Sequence, residues 1–181
     1  MKLIKDMTQL ELGAFVCTHL SRKGMEVVLS GGASVSLYTD NQYVSKDLDF
    51  IEVYFINRRK LVQAMAELGF SEEARYFRHP DSAFIIEFPE GPPMVGEEPV
   101  KIIIEAKLST GILKVISSTD CVKDRLAAYY HWGDKQSLTQ AALVVHNNND
   151  VDLDEIMRWS RSEGKLEEFE RIRSVLTAHT K

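Results

Sequence analysis

The sequence predicts an α+β fold, with the strands in the first 110 residues and helices in the rest. Three observations support this. The length of 181 residues suits one compact domain with a helical appendage. Short β-branched runs recur before residue 110, and apolar residues recur at spacings of three and four after it. We therefore expect an α+β core at residues 1–110 and a helical part at residues 111–181 that packs on it.

Composition and charge exclude several functional classes. The hydrophobic fraction of 44% excludes a mainly disordered chain. The net charge of -5 disfavours a protein that coats nucleic acid, which would carry a basic surplus. No apolar run approaches the roughly 20 residues that span a membrane, and residues 1–10 lack the pattern of a secretory signal. The distant Cys17 and Cys121 indicate buried, reduced thiols, so we expect a cytoplasmic protein without membrane contacts.

The first elements follow from local sequence signals. Thr8 and Glu11 have the spacing of a capping box, which predicts the start of a helix. The run MEVVL at residues 25–29 predicts a strand. Residues 30–34 are small and predict a turn, with a short helix at residues 35–39 after it.

The later elements are predicted from the same signals. The α+β part continues with a strand at 47–55, a helix that Asn57 caps and Gly69 closes, a hairpin of 74–77 with 83–88, a loop at 89–98 and a strand at 100–106. The predicted C-terminal helices are 120–132, 135–146, 153–163 and 165–178.

A glycine-rich segment follows the first strand. Ser30, Gly31, Gly32 and Ser34 stand between that strand and the predicted short helix. Such a junction exposes backbone N–H groups that can hold phosphate oxygens, and glycine allows the close approach. A plain turn explains the same residues.

Two aspartates begin the second strand. Asp47 and Asp49 are two residues apart, so their side chains project from the same face of the strand. Two carboxylates this close repel each other, and a divalent cation between them would remove the repulsion. The alternative is an acidic strand end that is simply solvated.

In this order, the strand, the Gly-Gly-x-Ser segment, the short helix and the hDhDh strand resemble the pattern of the nucleotidyltransferase superfamily over about residues 10–110. The match is closest to small bacterial nucleotidyltransferase-like proteins related to abortive-infection toxins. Residues 119–130 resemble the helical region that follows the catalytic core in that group. The resemblance implies a nucleotidyltransferase-like mixed sheet flanked by helices, followed by the helical part.

The resemblance also implies site residues. It assigns the nucleotide phosphates to Ser30, Gly31, Gly32 and Ser34, and Mg²⁺ to Asp47 and Asp49. A third carboxylate on a neighbouring strand completes the metal site and can act as a base. Glu87 and Glu105 both fit this role, and we favour Glu87 because it follows the helix and hairpin, where the family places it.

The resemblance places a lysine and an Arg-Asp pair on the helices that follow. Lys123 fits the lysine as a nucleotide contact, whereas Asp134-Lys135 replaces the Arg-Asp pair. A solvated helix face explains Lys123 and Arg125 equally well.

The expected activity is Mg²⁺-dependent transfer of a nucleoside monophosphate from an NTP to a hydroxyl, with release of pyrophosphate. RNA, a protein and a small molecule all remain open as acceptors, although the acidic charge balance disfavours a large RNA. The alternative is a catalytically degenerate binding module with a protein partner, for example in a toxin–antitoxin pair.

Overall fold

The computed structural model describes residues 2–178, which form seven α-helices and nine β-strands. Met1 and residues 179–181 lie outside the described residues. Met1 belongs to the predicted core, and residues 179–181 belong to the predicted helical part. The helices are α1 (Gln9–Arg22), α2 (Gly31–Tyr38), α3 (Arg58–Glu67), α4 (Ser118–Trp132), α5 (Lys135–Asn147), α6 (Leu153–Ser162) and α7 (Leu166–Thr177). The strands are β1 (Val27–Ser30), β2 (Asp47–Glu52), β3 (Ser71–Glu73), β4 (Tyr76–Arg78), β5 (Ile85–Glu87), β6 (Met94–Val95), β7 (Glu98–Pro99), β8 (Ile103–Leu108) and β9 (Gly111–Ile116).

The first helix begins at the capping box that the sequence predicts. The Thr8 hydroxyl accepts the Glu11 N–H at 3.3 Å, and the Glu11 carboxylate accepts the Thr8 N–H at 2.8 Å. Leu12, Val16 and Leu20 form an apolar stripe on α1, and all three side chains are fully buried. Burial of this stripe fixes α1 against the sheet, chiefly on β9.

Seven strands form one mixed sheet in the order β3-β4-β5-β2-β1-β9-β8. Strand β2 runs antiparallel to β1 and parallel to β5, so it lies inside the sheet. Side chains alternate along β2: Leu48 and Phe50 are fully buried, whereas Asp47 is exposed and Asp49 is partly buried. Helices flank this sheet, which confirms the predicted fold class.

Several parts of the structure differ from the sequence-based expectation, among them β9 and β6. Residues 111–116 were expected to follow the sheet, but they form β9, which lies between β1 and β8. The expected loop at residues 89–98 contains strand β6, which pairs with β7 in a separate small hairpin. The division at residue 110 falls in the turn between β8 and β9, and the helices begin with α4. A division into a core and a helical part stays a prediction.

The C-terminal helices pack on α2 and on one another. Trp159 of α6 is fully buried, and its indole N–H donates to the Val95 carbonyl at 3.1 Å. The ring of Tyr130 stacks on Trp159 with centroids 6.0 Å apart, which joins α4 to α6. Among residues 2–178, no helix combines the length and apolar character that crossing a membrane requires.

Both cysteines are free and buried, as the sequence predicts. Burial raises the pKa of the Cys17 thiol, and it raises the pKa of Cys121 to about 12. Both thiols are therefore protonated at neutral pH and act as small core residues.

Candidate functional site

The junction between β1 and α2 differs from the predicted turn. The helix begins at Gly31, directly after the strand, so residues 31–34 form its first turn. Ser30 is the N-cap in an extended conformation, and its side chain makes no capping hydrogen bond. The first N–H groups of any helix lack partners within that helix. The α2 N-terminus therefore presents backbone donors next to β2, which antiparallel pairing places beside β1.

Gly31 brings the backbone of this junction against Asp49. Its φ of 65° lies in the left-handed region, and a Cβ at this position would lie 2.4 Å from Asp49 Oδ2. No other residue type fits without moving the carboxylate or the helix start. Glycine is thus required for the close approach of the α2 N-terminus to Asp49.

We expect Gly31→Ala to destabilise the protein by about 2 kcal/mol, because alanine is strained at positive φ and its Cβ would displace Asp49. Gly32→Ala is the matched control. A Cβ there meets Ser45 at an ordinary 3.4 Å, so the change should be neutral or stabilise the helix by up to about 1 kcal/mol. Urea denaturation of both variants measures the difference, and equal losses would contradict it.

Three carboxylates share one face of the sheet. Asp49 is in register with Ser30 of β1 on one side and with Glu87 of β5 on the other. Asp47 lies two residues before Asp49 and projects from the same face. Register therefore brings Asp47, Asp49 and Glu87 together, with the α2 N-terminus on the opposite flank of Asp49.

The alternative third carboxylate lies elsewhere. Glu105 is on the edge strand β8, which β1 and β9 separate from β2. It is exposed and in register with Lys114 of β9. The structure therefore brings Glu87, and not Glu105, to the aspartate pair.

The electrostatics of this face are unfavourable for negative charge. The pKa of Asp49 is raised to about 6, first by burial and then by the charges of Glu87, Asp47 and Asp124. The nearby Arg125 acts in the opposite direction. Asp49 thus carries charge at neutral pH only at an energetic cost, which an added cation would reduce.

Glu87 already has a cationic partner. The Nε atom of Arg75 lies 3.1 Å from Glu87 Oε1, and 70% of the Arg75 side chain is exposed. Within residues 2–178, no three His, Cys, Asp or Glu side chains lie close enough to enclose a metal ion as they stand.

The donor chemistry nevertheless fits a hard divalent cation. All three groups at the site are carboxylates, the ligand type that Mg²⁺ prefers. The mutual repulsion at Asp49 is the electrostatic condition that such a cation relieves.

Both of the predicted nucleotide-binding serines are buried. The Ser34 side chain is fully buried, and its hydroxyl donates to the Gly31 carbonyl at 2.7 Å and lies 3.1 Å from Cys121 Sγ. Ser30 is only 4% exposed. The Ser34 hydroxyl therefore stabilises the first turn of α2, and phosphate contacts by the two serines stay a prediction.

Lys123 is not brought to the carboxylate face. Its ammonium is buried in ion pairs with Glu155 at 2.8 Å and Asp120 at 3.4 Å. Lys123 therefore joins α4 to α6 with its charge already paired, which disfavours the expected nucleotide contact.

Arg125 is the cation of α4 that acts on Asp49. Its Nε donates to Asp124 at 2.9 Å and its Nη1 to Gln140 at 3.3 Å. The sequence marked Arg125 only as a basic residue on the helix. Its orientation toward the site depends on how α4 packs.

A cleft of about 760 Å³ is linked to the site through Arg75, which forms part of the cleft wall and pairs with Glu87. Strand β2 ends at Glu52, earlier than predicted, so Tyr54 and Phe55 lie in the loop after it. These rings also line the cleft and are 74% and 91% exposed. The sequence did not indicate a role for Tyr54 and Phe55 in a cleft, because they continue the apolar run of the predicted strand.

Comparison with known proteins supports the fold. No protein-family model matches the sequence, and a search of curated proteins finds no similar chain. An antigenic nucleotidyltransferase-like protein from Paracoccidioides brasiliensis is 13% identical, with 96% of this chain and 94% of that chain covered and a TM-score of 0.61. The solution structure of the antibiotic-resistance factor ANT(2'')-Ia is 11% identical, with 91% and 92% covered and a TM-score of 0.54.

Identities this low establish a common fold and nothing finer. The relation to abortive-infection toxins stays a prediction. The chain has the nucleotidyltransferase-like fold that its glycine-rich junction and aspartate pair predict.

Proposed function

We propose that this protein is a Mg²⁺-dependent nucleotidyltransferase that transfers a nucleoside monophosphate from an NTP to a hydroxyl. One observation carries the proposal: Asp49 lies in register between the β1–α2 junction and Glu87. The backbone donors of the α2 N-terminus and the Glu87 carboxylate thus lie on opposite flanks of Asp49. In-line displacement at phosphorus needs this arrangement, since the attacking and leaving oxygens lie on opposite sides.

The nucleotide would bind on the α2 flank. The backbone N–H groups at Gly31 and Gly32 would hold phosphate oxygens, because the helix N-terminus favours negative charge. Asp47, Asp49 and Glu87 would hold Mg²⁺, which neutralises phosphate charge and favours attack at the α-phosphorus when bound. Arg125 would limit the repulsion between Asp49 and the triphosphate.

The acceptor would approach from the cleft on the Glu87 flank. Its hydroxyl oxygen forms the new bond to the α-phosphorus while the bond to the β-phosphate oxygen breaks, and pyrophosphate leaves. The Glu87 carboxylate, in register with Asp49, would take the hydroxyl proton. Tyr54 and Phe55 would contact the body of the acceptor. The cytoplasmic location and a partner protein stay predictions.

Transfer can be tested with Mg²⁺, each NTP labelled at the α-phosphate, and cell extract as the source of acceptors. We expect wild type to label a product and Asp47→Ala/Asp49→Ala to label none. Glu87→Gln should lower the rate by about 10²–10⁴-fold, the range for loss of a general base. Glu105→Gln is the matched control and should retain full activity, because Glu105 lies on the far edge strand.

The label position separates the possible outcomes. A γ-phosphate label should leave with pyrophosphate and label no product. Labelling that survives the double aspartate substitution would contradict the site, and absence of labelling by wild type would favour the degenerate binding module.

A further inference from the structure

Arg75 occupies an unusual position beside the carboxylates. It lies in the turn between β3 and β4, directly after Ala74, whose φ is 57°. Its guanidinium stacks over the Tyr76 ring, with the central carbon 5.0 Å from the ring centroid, and donates to the Tyr76 hydroxyl at 2.8 Å. Tyr76 is in register with Glu87 across β4 and β5. This stacking holds the guanidinium next to Glu87.

The charge of Arg75 acts on more than one carboxylate. Its Nε pairs with Glu87 at 3.1 Å, and its electrostatic interaction extends to Asp49. Asp47 and Asp124 add further negative charge at Asp49, and Arg125 is the opposing cation on the α4 side. Arg75 therefore supplies positive charge on the β5 flank, where the proposed function requires a metal ligand.

We propose that Arg75 is a built-in counter-ion, which holds Glu87 in the cation-free protein and releases it when a divalent cation binds. This inference rests on the cation site of the proposed function. A cation that takes up the Glu87 oxygens competes with the guanidinium for the same atoms and repels it. Arg75 can move because most of its side chain is in solvent and borders the open cleft. Arg75 is thus a positioning residue that lowers cation affinity.

The test is direct binding of Mn²⁺, measured from the electron paramagnetic resonance signal of the free ion with the full chain. We expect Arg75→Ala to bind Mn²⁺ about two- to fivefold more tightly than wild type, the range for loss of an exposed ion pair. Arg75→Lys should resemble wild type because it keeps the charge. Arg78→Ala is the matched control, because Arg78 lies on the same hairpin and pairs with Glu73 at 3.1 Å.

The same substitution in an Asp49→Asn background shows whether the gain in Mn²⁺ affinity arises at the three carboxylates. Arg75→Ala should give no gain when Asp49→Asn is also present. If wild type binds Mn²⁺ through Asp49 and Arg75→Ala binds it equally or more weakly, the proposed role of Arg75 is overturned. The proposed function is not affected by that result. Absence of binding by both wild type and Arg75→Ala would overturn the cation site and with it the proposed function.

Discussion

Replacing Asp49 with asparagine is expected to stabilise the folded protein by roughly 2–3 kcal/mol at pH 8 while abolishing transfer. Burial and the neighbouring carboxylates raise the pKa of Asp49 from 3.8 to about 6, and each pH unit corresponds to about 1.4 kcal/mol. Above pH 6 the wild-type protein holds a charged carboxylate that the fold disfavours. Asparagine has nearly the same shape and no charge, so the repulsion is removed.

The stability advantage of Asp49→Asn over wild type should increase with pH. Because the folded-state pKa of Asp49 is raised, its favourable contribution is complete below pH 3.8 and is lost as pH rises through about 6. Wild type and Asp49→Asn should therefore be nearly equal in stability near pH 3.8. The advantage of the variant should grow between pH 4 and 6 and stay constant above that.

Urea denaturation between pH 4 and 8 measures this difference as a function of pH. At pH 8 we also expect the melting temperature of the variant to rise by about 4–12 °C, given a shift of about 2–4 °C per kcal/mol at this size. Asp47→Asn is the control, since Asp47 is exposed, and it should change stability by less than about 1 kcal/mol. An advantage that is the same at pH 4 and pH 8 would show that charge is not its cause.

Replacing Lys123 with methionine is expected to destabilise the protein by about 3 kcal/mol and to leave nucleotide affinity unchanged. Methionine fills similar space but leaves Asp120, which is 5% exposed, without its cation. Removing one partner of a buried ion pair is costly, because the remaining charge is uncompensated. Glu155 keeps Lys101 and Arg158 as partners, so the cost falls mainly on Asp120.

A second substitution separates this charge effect from lost packing. Lys123→Met with Asp120→Asn should recover most of the lost stability, because no unpaired charge remains. Lys135→Met, at an exposed position on α5, should have little effect. Nucleotide binding by the folded variants can be measured by calorimetry. A Lys123→Met variant of normal stability that has lost nucleotide affinity would restore the role that the family resemblance implies.

Local signals in the sequence were sufficient for most elements. Capping at Thr8 and Asn57 correctly predicts the starts of α1 and α3 because a cap depends on residues three positions apart. The common face of Asp47 and Asp49 follows from the two-residue period of a strand. Strand β9 was missed because a short apolar run is compatible with either a strand or a helix.

Local sequence patterns could not predict which distant residues lie beside the aspartate pair. Successive residues of a helix are about 100° apart, so Lys123 and Arg125 point to nearly opposite sides of α4. The sequence determines that only one of them can face the carboxylates, and the packing of α4 on α2 and α6 decides that it is Arg125. Strand order decides in the same way between Glu87 and Glu105.

The sequence alone thus determined most of the elements, the paired aspartates and the glycine-rich junction, since each depends on residues near one another in the chain. Only the tertiary structure decided which distant residues join them: Glu87 through the register of β5, Arg125 through the packing of α4, and Arg75 through the β3–β4 turn. The physical reason is that pairing and packing bring together residues separated by many positions, and no local pattern encodes their neighbours.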